Sequence, residues 1–215
     1  MSDAVVSAFI ERWSKSGGAE RANYQLFLAE LCDVLGVPRP DPTRPDDHEN
    51  AYVFERNVQF DNLDGTFSTG RIDLYKRACF VLETKQSVEK QDEEQLLSSA
   101  ALARKKKLKK GHGIRGTSAW NDTLLRARGQ AEQYARSLTG PETRPPFLVV
   151  VDVGHTIELY AEFTQTGGTY VPFPDPTAYR LRLEQLADAE IRERLKLLWT
   201  DPLALDPARR SAKVT

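Results

Sequence analysis

Asp73, Glu83 and Lys85 are the residues whose types and spacing point most directly to chemistry. Asp73 lies in a short apolar run at 72–75. Glu83 and Lys85 close a second run at 79–82, and the basic, turn-like Lys76-Arg77-Ala78 stands between the two. This pattern predicts a hairpin of two buried strands. Side chains alternate faces along a strand, so Glu83 and Lys85 project to one side and Asp73 reaches them from the neighbouring strand. Ionised groups are costly to desolvate unless they pair or bind a metal, and a strand of Cys, Phe, Val and Leu has no structural use for them. Two carboxylates beside an ammonium at the margin of an apolar core therefore read as a cation site. The bland alternative is a surface pair of Lys85 with Asp73 or Glu83 at a strand edge.

The elements that must position these groups follow from hydrophobic periodicity. Val5, Val6, Phe9, Ile10 and Trp13 predict a first amphipathic helix that stops at Gly17-Gly18. Tyr24, Phe27, Leu28, Leu31 and Leu35 predict a second, ended by Gly36 and Pro38. Glu30 flanks the second stripe. It is either a solvated edge glutamate or a carboxylate that the helix aims at the same cation. Four prolines at 38, 40, 42 and 45 make an extended surface connection. Alternation over 52–60 predicts a strand, and the turn dipeptide Asp64-Gly65 pairs it antiparallel with the strand carrying Asp73, so residues 52–86 form a three-stranded meander.

Beyond Gln86 the character changes. Residues 96–103 have a helical pattern, and Arg104, Lys105, Lys106, Lys107, Lys109 and Lys110 make a nearly pure cationic run followed by Gly111, Gly113 and Gly116. The run is either a solubilising loop or, given its place after the candidate strand, a contact for a polyanionic substrate. Residues 118–138 predict a long helix with Ser118 as N-cap, and 147–153 and 156–163 a second hairpin that turns at Gly154-His155. Residues 179–183 predict an edge strand, and Ile191, Leu195, Leu198 and Trp199 a last helix. The segment from Asp201 onward reads as a connector with no core left to join.

Composition bounds these readings. A chain of 215 residues with 40% hydrophobic content supports one full core and a small appended module. A net charge of -1 excludes a wholly electrostatic nucleic-acid binder. The two cysteines, Cys32 and Cys79, lack metal or disulfide spacing and read as reduced core residues. There is no signal-peptide pattern and no apolar run of about 18 residues, so a cytoplasmic protein without membrane contact is expected.

Asp73, a spacer of nine residues and Glu83-Thr84-Lys85 together resemble the PD-(D/E)xK nuclease signature, in the form Gly-Arg-Ile-Asp…Glu-Thr-Lys. The expected order of helix, meander, helix and strand is that of the restriction-endonuclease-like fold, an α/β fold with a mixed central sheet flanked by helices. Gln130 and Tyr134 match the QxxxY motif of RecB-like members, and residues four apart share a helix face. More closely, the run from Phe54-Glu55-Arg56 through Gln86, the helix around Gln130, and Leu198-Trp199-Thr200-Asp201-Pro202 are similar to the N-terminal part of MmeI-like (type IIL/IIG) restriction-modification enzymes. These are single polypeptides in which a nuclease domain precedes a helical connector, an adenine methyltransferase and a target-recognition domain.

The resemblance implies a nuclease domain at 1–170 and, at 171–215, an extension that begins the connector. The sequence has no Gly-rich cofactor loop and no Asn-Pro-Pro-Tyr-type motif, so an isolated nuclease part is expected. It further implies Mg²⁺, with Mn²⁺ as a substitute, held by Asp73, Glu83 and the backbone carbonyl of Thr84, and Lys85 acting on the attacking water. Gln86, Gln130, Tyr134 and the basic run would support the lysine or touch DNA. The expected partners are double-stranded DNA, the methyltransferase and recognition domains of the parent polypeptide, and a second copy met transiently on DNA. The alternative function is a catalytically silent nuclease fold that binds DNA or docks other domains.

Overall fold

The computed structural model describes residues 2–16, 20–61, 64–87, 114–138 and 144–212. The expected helix at 96–103 and the basic run at 104–110 lie outside the described residues.

Helix α1 (Asp3–Ser14) buries Val6, Phe9 and Trp13, and α2 (Glu20–Leu35) buries Tyr24, Phe27, Leu28, Leu31 and Leu35, the faces set by the 3.6-residue spacing. Gly36 ends α2 at a φ of 66°, and the amides of Gly36 and Val37 return to the carbonyls of Asp33 and Cys32 at 3.1 and 3.0 Å. Glycine adopts that left-handed conformation without a Cβ penalty.

Among the described residues, seven strands form one mixed sheet. Strands β1 (Tyr52–Asp61), β2 (Phe67–Lys76) and β3 (Phe80–Lys85) make the antiparallel meander. β4 (Phe147–Asp152) then pairs parallel with β3. A parallel neighbour needs a crossover, and α3 (Ser118–Ser137) supplies it. β5 (Thr156–Ala161) is antiparallel to β4 and pairs in turn with β6 (Val171–Pro172) and β7 (Arg180–Arg182). The N-cap of α3 is Thr117, not Ser118: the Thr117 hydroxyl accepts from the Trp120 amide at 3.3 Å. Both residue types can cap, and only the backbone decides which one precedes the first helical φ/ψ.

Apolar side chains cover both sheet faces, so β4 is buried throughout and reads as the continuous run Phe-Leu-Val-Val-Val. One face packs Leu74, Phe80, Leu82, Val149 and Val151 against α1, α2 and α4 (Ala189–Thr200), and the other packs Val81, Leu148, Val150 and Tyr160 against α3. Residues after 170 share this core: Leu181, Leu183, Leu186, Leu195, Leu198 and Trp199 join the first face. Residues beyond Asp201 were expected to find no core, yet Leu205 is 2% exposed there. Its short 3₁₀ turn (Pro202–Leu205) carries too few apolar residues for a periodic signal; α4 brings it to the core. Trp199 donates its indole N–H to Tyr52 at 2.9 Å and packs on Phe80 at 4.6 Å between ring centres. Cys32 and Cys79 are buried and free, as read from the sequence. Among the described residues no helix is long and apolar enough to cross a membrane.

Candidate active site

β3 carries Glu83, Thr84 and Lys85 at its C-terminal end, beside Asp73 of β2. The amide and hydroxyl of Thr84 both donate to Asp73 Oδ2, at 2.7 and 2.6 Å. That fixes one carboxylate oxygen and leaves Oδ1 for another contact. Glu83 is 1% exposed, and its Oε1 is buried without a hydrogen-bond partner. Lys85 Nζ stands 3.7 Å from Glu83 Oε2 and 3.9 Å from Glu20 Oε1. Burial first, and then the neighbouring Asp73 carboxylate, push the Glu83 pKa up to about 9, against the pull of Lys85. Burial likewise raises Asp73, opposed by the two Thr84 hydrogen bonds and Lys85. Two carboxylates whose environment penalises their ionised forms, one with an unsatisfied oxygen, fit a hard divalent cation.

The remaining predicted ligands are engaged elsewhere. The Thr84 carbonyl accepts from Lys85 Nζ at 2.6 Å, so the lysine ammonium holds the position assigned to a metal. Glu30 is not brought to the pair: its carboxylate accepts from the Trp13 indole at 2.7 Å and pairs with Arg12 at 3.1 Å. The helical acid that approaches the site is Glu20, at the start of α2. Among the described residues no group of three or more Asp, Glu, His or Cys is gathered to hold a metal, so the available donor set is the pair Asp73 and Glu83.

A model of the MmeI N-terminal domain family matches residues 3–214. The chain belongs to that family. It is the N-terminal domain of an MmeI-like restriction-modification enzyme, and no curated protein and no solved structure matches it. In this MmeI-type domain Gln130 and Tyr134 do share a face of α3: the Gln130 amide donates to the Tyr134 hydroxyl at 2.8 Å. The Tyr134 ring stacks on Phe60 at 5.6 Å and covers Gly70. Burial raises its phenol pKa, with further increments from Glu83 and Asp73. Gln86 is buried, and its carbonyl accepts from Asn23 of α2 at 3.2 Å, which ties the end of β3 to the helix carrying Glu20. A Cβ on Gly70 would meet Tyr134 at 2.5 Å and Phe60 at 2.8 Å. Gly70→Ala is therefore expected to push the stacked rings apart and destabilise the domain by about 1–3 kcal/mol, read by urea unfolding.

Besides Glu20, two groups at the site have no counterpart in the sequence reading. Glu55 of β1 lies opposite Asp73, between the paired positions Phe54↔Leu74 and Arg56↔Ile72, and has a φ of 53°. A left-handed glutamate in mid-strand is strained. Its carboxylate accepts a hydrogen bond from the Tyr24 hydroxyl and lies 3.6 Å from Arg71. The turn at Asp64 was the available signal: Glu55 and Asp73 are each nine residues from it. The second is Asp152, which ends β4 and is fully buried. It accepts from the Ser87 amide (2.8 Å), Arg115 Nε (3.1 Å) and the Trp120 indole (2.9 Å). Like Glu83, Asp152 is an acid that closes an apolar run.

Proposed function

We propose that this domain hydrolyses DNA phosphodiester bonds in a divalent-metal-dependent reaction, as the nuclease part of its parent restriction-modification enzyme. The observation that carries the reading is the buried Glu83 carboxylate with an oxygen left unsatisfied, beside Asp73 and within reach of Lys85. Asp73 and Glu83 are the residues that would hold Mg²⁺, or Mn²⁺ in its place. When bound, the metal supplies a lowered pKa for a water and neutralises charge on the scissile phosphate.

The chain's own residues do the rest. Thr84 holds Asp73 in one rotamer through two hydrogen bonds. Lys85 places a positive charge where charge develops on the phosphate and orients the attacking water. Tyr134 and Gln130 form one wall against β2. The partners in this reading are double-stranded DNA and the methyltransferase and recognition domains of the parent polypeptide. One site cuts one strand, so a double-strand break requires two copies meeting on DNA. A second reading, a silent domain that docks others, is favoured by one observation: Lys85 occupies the Thr84 carbonyl and sits between Glu83 and Glu20.

Plasmid nicking in Mg²⁺ separates the two readings. Lys85→Ala is expected to slow nicking by about a hundredfold or more, the usual scale for losing a proton-transfer or charge-stabilising group. Equal rates in the wild type and the variant would remove the assignment. Calorimetric Mn²⁺ titration tests the metal directly: heat that persists in an Asp73→Ala, Glu83→Ala double variant rules out this site.

A further inference from the structure

A row of polar residues crosses the sheet from Lys85. In register, Lys85 of β3 pairs with Asp152 of β4, Asp152 with Thr156 of β5, and Thr156 with Arg182 of β7. Direct cross-strand partners project to one face, here the face covered by the start of α3, where the Asp152 carboxylate meets the Trp120 indole. Strands are spaced about 4.8 Å apart, so the Cα atoms of Thr156 and Arg182 lie roughly 10 and 14 Å from that of Lys85.

Over the Thr156–Arg182 end of this row, between β5, β7 and the N-terminus of α3, lies a half-open cavity of about 750 Å³. Arg115, Trp120, Thr156, Arg180, Arg182 and Glu184 are among its lining residues. The positive end of a 20-residue helix faces it. Thr156 is 3% exposed, and its hydroxyl is buried without a hydrogen-bond partner. Buried hydroxyls are nearly always bonded, and this one is available to donate to an acceptor oxygen of a bound group. The cavity's charge limits what that group is. Asp152 neutralises Arg115, and Glu158 binds Arg180 at 2.6 Å and holds its guanidinium 4.7 Å over the Trp120 ring. No carboxylate pairs with Arg182 among the described residues, and Glu184 stands at the same rim. With Arg182 and Glu184 offsetting each other at the rim, the partial positive charge of the helix N-terminus is what remains, and it suits a monoanionic diester better than a dianionic monophosphate.

We propose that this cavity binds a backbone phosphodiester of the DNA strand whose scissile phosphate lies at Lys85. The oxyanion site stands on its own residues, and its assignment to DNA rests on the DNA-cleaving reading above.

The test is fluorescence anisotropy of a short labelled duplex with the full chain in EDTA, where no cleavage occurs. Thr156→Val removes only the unpartnered hydroxyl, so its melting temperature is expected to equal or exceed that of the wild type. Arg182→Gln removes an exposed charge. Each is expected to weaken duplex binding by about tenfold, and Arg182→Gln also to reduce the salt slope by about one, while Thr156→Val leaves the slope unchanged. Wild-type affinity in either variant overturns the proposal, as does absence of duplex binding by the wild type at low salt. So does a Thr156-dependent affinity for deoxyadenosine monophosphate with duplex binding unaffected, which would assign the cavity to a free nucleotide. Duplex binding with the expected sensitivities but no nicking in Mg²⁺ removes the cleavage reading alone. Nicking with unaltered variant affinities removes this proposal alone.

Discussion

In metal-free buffer the domain is expected to lose stability steadily as pH rises from about 5 to about 9, and Glu83→Gln to abolish most of that loss. The Glu83 carboxyl goes from an ordinary value of 4.5 to about 9 on folding. Between those limits the native state binds a proton that the unfolded chain has released, so stability falls with rising pH. The contribution is fully present below about 4.5 and gone above about 9. At 1.36 kcal/mol per pKa unit the whole span corresponds to about 6 kcal/mol, a large share of the 5–15 kcal/mol typical of a folded domain. Asp73 is raised as well and acts in the same direction. A neutral amide at position 83 carries no such penalty, so Glu83→Gln should melt above the wild type at pH 8–9 and match it near pH 5. Mg²⁺ should stabilise the wild type more at pH 8 than at pH 6, because it binds the ionised carboxylates. Thermal melts at several pH values check this. A flat wild-type profile, or a variant profile parallel to it, would contradict the assigned burial of a carboxylate with an unsatisfied oxygen.

The second large effect is expected at Asp152. Alanine there removes the acceptor for Ser87, Arg115 and Trp120 together and leaves Arg115, whose side chain is 6% exposed, without its buried counter-ion. Breaking a buried pair from one side costs about 3–5 kcal/mol. Asp152→Asn keeps the volume and one acceptor oxygen and should cost less. The consequence is also local. Ser87 follows the Lys85 strand and Arg115 precedes α3, so one carboxylate holds both ends of the long stretch between them. Faster hydrogen exchange at the Ser87 amide and the Trp120 indole, beyond the global loss of stability, is the expected signature. Exchange that tracks global unfolding alone would assign Asp152 to stability only.

Much of the architecture was legible because local patterns had a single reading. Strict alternation at 52–60, the Asp64-Gly65 turn and the apolar run at 147–153 each demanded a strand, and the stripes of α1, α2 and α3 each demanded a buried face. The helix carrying Glu20 was read correctly, but Glu20 itself was passed over for Glu30. An acid in the first turn already has a local reason to be there, in the helix dipole. Which of two carboxylates about three turns apart meets Lys85 depends on how α2 crosses the sheet, and no residue in α2 encodes that alone. The last turn around Leu205 was misread for the same reason, since its burial depends on where α4 delivers it.

The sequence by itself determined the order of the main strands and helices, the family, and the candidacy of Asp73, Glu83 and Lys85 at the end of a buried hairpin. Those properties depend on spacing within a few residues and on a desolvation cost that any apolar strand imposes on a charge. Only the tertiary structure decided which groups surround the hairpin. Glu55 stands across from Asp73 in a left-handed conformation, and Glu30 is spent on Trp13 and Arg12 while Glu20 reaches Lys85. Asp152, Thr156 and Arg182 extend the Lys85 position into a row across four strands. Most of these contacts join residues far apart in sequence and are set by strand register and helix crossing, which spacing within one element does not fix.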